Sequence, residues 1–320
     1  MAQASSRDAQ KDAIVRSDVW FEDGNIVIQA EQTQFKIYRG VLVAQSSVFG
    51  DMFSIPQPPS EKQKAVDGCP VVRVTDSAID IAIALRALFL RGYVSRKALS
   101  ITAVAAFVRI GTKYEIEILR AEGLERLFYE YPSSLSDYDE MNSWSRIDYS
   151  WGVNIDVANL AREQNLLSIL PVAFYLLCHD YDAKGLTSGV PRDDGTTAMI
   201  SPTDLITCLV ARESLAELQA QTTFAWINLP STNYSCKTPP KCSKFRMQVM
   251  RSLSSHPASI CGLDRWGCGL AREPVNSMCI ICAEMAELHD DGREKFWNEL
   301  PDNFGLPEWA EINRERAEFA

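Results

Sequence analysis

A chain of 320 residues is too long for one hydrophobic core, since domains cluster at about 100 to 150 residues, so two domains are expected. With 46% hydrophobic and 23% charged residues it can offset the entropy of ordering, which excludes wholesale disorder. The formal net charge of -10 argues against nucleic acid as a direct partner, because no dense Lys/Arg run overrides the repulsion of a polyphosphate.

The opening MAQASSRDAQKDAIVRSD is polar and of mixed charge, unlike the basic start and apolar stretch of a signal peptide. Later apolar stretches are broken at Arg86, Arg91, Arg109 and His179, short of the roughly 20 residues that span a bilayer. No membrane partner is expected. Nine cysteines, an odd number, read as reduced thiols or metal ligands rather than a disulfide framework, and place the chain in the cytoplasm or nucleus.

The first ordered region is expected over 18–131. Ile26, Ile28 and Ala30 share one parity, a turn follows at 31–33, and Phe35 and Ile37 resume period-two spacing. This predicts a hairpin with one buried face. From Arg39 the period changes: Val41, Leu42, Val48, Phe49, Met52 and Phe53 fit two short helices broken at 45–47, where a serine can cap the second. Pro56, Pro58 and Pro59 stop helical growth and open a surface loop. Val71, Val72 and Val74 predict a third strand, and Asp76 or Ser77 caps a helix burying Ile79, Ile83, Leu85, Leu88 and Phe89 before Gly92. The nearly uncharged run 99–110, rich in small residues, belongs inside a domain or at a dimer seam. After Gly111, Tyr114, Ile116, Ile118 and Leu119 begin a helix continued by Leu124, Leu127 and Phe128. A small sheet interleaved with and followed by helices is an α+β arrangement.

Asp18-Val-Trp-Phe21, Phe35-Lys-Ile-Tyr-Arg-Gly-Val-Leu42, Ser46-Ser-Val-Phe-Gly-Asp-Met-Phe53 and Leu85-Arg-Ala-Leu-Phe-Leu90 resemble successive elements of a BTB/POZ domain. The phrase Trp20-Phe-Glu-Asp-Gly-Asn-Ile-Val27 is especially similar to the expanded group of such proteins in mushroom-forming fungi. The chain departs from the family in having Tyr38 where His is usual, and in the proline-rich insertion after Phe53. The resemblance implies a BTB/POZ fold, homodimers or heterodimers, and a helical face that recruits a cullin-type ubiquitin ligase scaffold or a transcriptional corepressor. It implies that Asp18 and Arg39 face a groove near the dimer axis, with a local cap or turn as the competing role for Asp18. By the same analogy Gln45, Asp51, Gln57 and Pro58 are contacts for a cullin-like partner. The stretch 156–175 also resembles the helical extension found downstream in this fungal group.

Residues 132–152 read as a turn-rich linker and 153–310 as a helical C-terminal region with cysteine-tied loops. Val157 to Leu170 favours helix, and Pro171 suits the first turn of the next. A polar Gly/Pro loop is expected over 182–197. Ser201 and Pro202 then open a helix whose apolar side comprises Leu205, Ile206, Leu209, Val210, Leu215 and Leu218. Arg246 to Leu253 predicts one more helix, and 311–320 an exposed helical or frayed tail.

Cys236-x5-Cys242 and Cys279-x2-Cys282 are close pairs able to give four thiolates to a structural zinc ion. Cys261 and Cys268 compete as ligands, and reduced cysteines without metal are the other reading. Cys178 and Cys208 lie in apolar helical patterns as small core residues. His179, His256 and His289 sit in no recognised acid/base or metal motif, and no nucleophile elbow or phosphate loop is present, so no catalytic residue is assigned. The expectation is a non-enzymatic interaction protein: a ligase adaptor, a transcription-associated scaffold, or a dimerisation module with an unrelated partner.

Overall fold

The computed structural model describes residues 13–55, 65–94, 97–228, 236–253, 259–265, 278–286 and 288–319. Strands β1 (Val15–Trp20), β2 (Ile26–Ala30), β3 (Thr33–Ile37) and β4 (Val71–Val74) form a sheet in the order β1-β3-β2-β4. The predicted hairpin is present: Ile26 pairs with Ile37, Ile28 with Phe35 and Ala30 with Thr33. Both β4 against β2 and β1 against β3 run parallel. The period-two reading missed β1, whose residues around Val15 are exposed and so carry no apolar alternation. The expected single buried face is also corrected, because every residue of β2 is buried. The polar residues of this buried hairpin have partners: Gln34 Nε2 donates to Gln29 Oε1 at 3.0 Å, and Lys36 Nζ to the carbonyl of Glu22 at 2.7 Å.

Helices α1 (Arg39–Gln45) and α2 (Ser47–Ser54) are separated at Ser46, whose Oγ accepts the Phe49 N–H at 3.0 Å. Ser77 caps α3 (Ala78–Phe89) by accepting from Asp80 N–H. The face α3 buries runs from Ile81 to Leu85; Ile79, assigned to the core from sequence, is 62% exposed in the first turn. Helix α4 (Ile101–Lys113) continues through Gly111 rather than ending there, and it meets α5 (Glu117–Glu130) at two glycines outside the small-residue run: a Cβ on Gly111 would lie 2.6 Å from Arg120 N, and one on Gly123 2.7 Å from Val108 Cγ2. One core, including Ile28, Phe35, Leu42, Phe49 and Phe107, joins the sheet to these helices. The observed architecture is thus a mixed sheet-and-helix body followed by a mostly helical region.

By contact the chain divides into two units, Met1–Glu130 with Asn142–Tyr149, and Tyr131–Met141 with Ser150–Ala320. The expected linker over 132–152 is therefore shared between them. Buried Glu130 holds the returning piece by accepting N–H bonds from Trp144 and Arg146, both at 2.7 Å. Residues 135–140 are not loop but α6 (Leu135–Glu140), because Ser134 Oγ caps it through Asp137 N–H.

In the second unit α7 (Val153–Glu163) packs on α8 (Leu170–Asp180), with Pro171 in the first turn as expected. The predicted loop over 182–197 is partly ordered: Asp182 caps α9 (Ala183–Ser188), and β5 (Val190–Pro191) pairs with β6 (Thr197–Ala198). Ser201 caps α10 (Pro202–Gln221). Its buried stripe is Asp204, Cys208, Ala211, Leu215 and Leu218, whereas Ile206 and Val210 are 64% and 70% exposed. The polar Asp204 turns inward because it accepts from Arg162 Nε at 2.7 Å. After a short 3-10 turn (Ala225–Asn228) come α11 (Pro239–Leu253), α12 (Ile280–Ala286), α13 (Leu288–Asn303), α14 (Trp309–Ile312) and α15 (Arg314–Ala317). Of the two readings of 311–320 the helical one holds, in α14 and α15, and this end is anchored: Glu315 accepts the N–H of Ser168 at 2.7 Å, and Arg316 donates to Ser168 Oγ at 2.7 Å and to the Tyr131 carbonyl at 2.5 Å. Among the described residues no helix is long and apolar enough to cross a membrane.

Candidate functional site

Four cysteines converge in the second unit. Cys236 precedes α11 and Cys242 lies in its first turn, where Pro239 and Pro240 are tolerated because helix-start N–H groups lack intrahelical partners. Cys279 immediately precedes α12 and Cys282 lies within it, so the x2 spacing returns both sulfurs to one side of a helix start. The Sγ atoms all lie within 4.8 Å of one another. Cys236 Sγ is 3.8 Å from Cys279 Sγ and 3.5 Å from Cys282 Sγ. A disulfide would need about 2.05 Å, whereas thiolates about 2.3 Å from a tetrahedral zinc stand about 3.8 Å apart. The spacing fits coordination.

The surroundings favour a negative sulfur at Cys279 and oppose one at Cys236 and Cys282. Cys279 N–H donates to Cys242 Sγ at 3.3 Å. Backbone N–H groups of Cys282 and Lys237 draw the Cys279 thiol down to about 6, so this sulfur ionises first. Burial raises Cys236 and pushes Cys282 up to about 12. A bound divalent cation would supply the charge that ionises the remaining thiols together. Around the sulfurs lies a small core of Phe224, Trp226, Ile227, Phe245, Val249 and Met278. Cys261 belongs to that core but not to the sulfur cluster, and burial pushes its thiol up to about 12. Cys268, the other competing ligand, lies outside the described residues, while Cys178 and Cys208 are buried as expected.

The residues assigned by resemblance occupy the first unit. Asp18 pairs with Arg86 of α3, which takes its carboxylate with Nε at 3.0 Å and Nη2 at 2.7 Å. Arg39 donates from Nη2 to the Phe53 carbonyl at 3.1 Å and lies over the Phe53 ring. Locally, Asp18 Oδ1 accepts from Ser17 Oγ at 3.0 Å, and Ser17 Oγ in turn accepts the Val19 N–H at 3.1 Å. Tyr38 keeps both an aromatic contact, 5.0 Å from Phe21, and a hydrogen bond to Asp23. Gln45 and Asp51 are exposed; Gln57 and Pro58 lie outside the described residues. Helix α1 buries Leu42 alone, so Val41 and Val43 are exposed beside Gln45.

His179, at the end of α8, contacts Asp180 at 2.7 Å. It borders a polar cavity of about 380 Å³ with Arg212, whose guanidinium donates to the carbonyls of Cys178 and Tyr181. These bonds close the end of α8. Compared with known proteins, the chain matches no family model and no curated protein significantly.

Proposed function

We propose that this chain is a non-enzymatic protein-interaction scaffold whose first unit is a BTB/POZ-like module and whose second unit is tied by a structural zinc ion. The observation that supports the first part is the fate of the resembling motifs. All fall in one unit, with Leu42, Phe49 and Leu85 in a common core and the polar Gln45 and Asp51 left at the surface beside exposed Val41 and Val43. An apolar strip flanked by polar side chains suits a protein partner. On this reading the module self-associates, and its α1–α2 face recruits a cullin-type ligase scaffold. Solution mass of the full chain and retention of a purified cullin N-terminal domain test it: a dimer that holds cullin is expected. A monomer that retains neither cullin nor corepressor sinks the module reading, and a dimer that holds only a corepressor makes it a transcription-associated scaffold.

Zinc is favoured by the all-sulfur donor set, four sulfurs within 4.8 Å of one another. Its role is to hold α11 against α12. Metal analysis of chelator-washed protein is expected to return one zinc per chain, lost in Cys279→Ser; iron in place of zinc, or folded protein without metal, overturns this assignment.

A further inference from the structure

Between Glu217 and Asp264 the chain has no acidic residue, although it holds 42 in all. The same span contains Lys237, Lys241, Lys244, Arg246 and Arg251, so a net-acidic protein carries one wholly basic segment, centred on α11. Part of that charge has a local explanation. Zinc with four thiolates is a dianion, and Lys237, whose backbone N–H reaches Cys279 Sγ, and the buried Arg246 suffice to balance it. Lys244 and Arg251 are then in excess.

Their positions argue for a ligand outside the protein. Lys244, Gln248 and Arg251 follow one another at helical spacing and are all exposed, so the two basic residues lie on one face. Arg251 lies nine residues beyond Cys242, about 13 Å along the axis, past the roughly 8 Å over which salt screens charge, so it does not serve the sulfur centre. Met247 and Met250 are 48% and 39% exposed beside this stripe. A phosphate backbone would leave those methionines in water, and the exposed face offers no aromatic ring for stacking bases. An acidic segment with interspersed apolar side chains satisfies both features, since Met and Arg are favoured at protein interfaces.

We infer that the outer face of α11 docks an acidic, partly apolar segment of a partner protein. This surface is separate from α1–α2, and its geometry depends on the zinc reading, so metal content is measured in every sample. The test is fluorescence anisotropy of the full chain with a labelled peptide alternating Glu and Leu, its Lys/Leu counterpart, and a short duplex DNA. The Glu/Leu peptide is expected to bind and to weaken at least about tenfold when salt is raised to physiological strength. The double variant Lys244→Glu, Arg251→Glu should abolish binding while retaining metal, and Met247→Ser, Met250→Ser should weaken it. Failure of the Glu/Leu peptide to bind metal-replete protein, equal binding by the charge-reversed variant, or tighter binding of DNA would overturn the inference. Metal-free yet binding protein would overturn the zinc reading alone.

Discussion

The sheet core of the first unit and the sulfur-lined core of the second differ in what closes them. The first runs through the sheet and its helices and is filled by apolar side chains such as Phe35, Leu42, Phe49 and Phe107, all almost fully buried. Among the described residues, the second gathers a few aromatic and aliphatic side chains in and around α11, α12 and the 3-10 turn before them. So small a core offsets little chain entropy by itself, and such folds usually rely on a cross-link. Burial of volume closes one; on our reading, ligation closes the other.

The strongest way to break this contrast is to remove the metal. Cys282→Ser, or chelation of the wild type, should release zinc and strip hydrogen-exchange protection from α11 and α12 while leaving α4 and α5 protected. Metal-coupled folding of this kind is worth on the order of 10 kcal/mol, which the small apolar cluster cannot replace. Persistent protection of α11 without metal would mean that both cores close by burial.

The reciprocal experiment cuts into the first core. Phe49 is 3% exposed and stacks on Tyr114 with ring centroids 4.4 Å apart. Phe49→Ala should cost about 3 to 5 kcal/mol through lost burial and a residual cavity. Denaturant unfolding followed by near-UV signal would read that loss, with zinc content unchanged. A fall in metal content would show that the two cores are not closed independently.

The same contrast explains what was legible in sequence. Period-two spacing gave the β2–β3 hairpin, and Ser46, Ser77 and Ser201 announced helix starts through their capping chemistry. The pairs Cys236–Cys242 and Cys279–Cys282 were readable because x2 and x5 spacings can return sulfurs to one place, but only the fold selected them over Cys261. Burial by pairing was illegible. Apolar character put Ile206 and Val210 inside α10, whereas the Arg162 ion pair brings Asp204 inward and turns them out. Likewise α13 is strongly charged and contains Pro301, yet buried Arg293 anchors it through the Leu263 carbonyl and Asp139. The polar sequence at 311–320 conceals Arg316, which burial holds at about 10, below the usual guanidinium range. Arg316→Ala should leave the Tyr131 carbonyl and Ser168 short of a donor and cost about 1 to 3 kcal/mol. Thermal unfolding together with exchange at the Ser168 amide would detect it; an unchanged midpoint would return the tail to the frayed state its sequence allows.

The smallest effect belongs to the Asp18–Arg86 pair. The Arg86 guanidinium holds the Asp18 carboxyl below its ordinary 3.8, so the pair's contribution is present above that value and disappears as pH falls through the lower folded value. Because the Asp18 side chain is 60% exposed, solvent screens most of the interaction, and Asp18→Asn should cost no more than about 0.5 kcal/mol near neutral pH. Urea midpoints of wild type and variant should converge as the medium is acidified below 3.8. The solution mass of Asp18→Asn separates stability from partner choice, since a surface pair can orient an association without holding the fold. A stability loss as large as that of Phe49→Ala would place ionic pairing on the same footing as apolar volume in the first unit, and the division between the two cores would no longer hold.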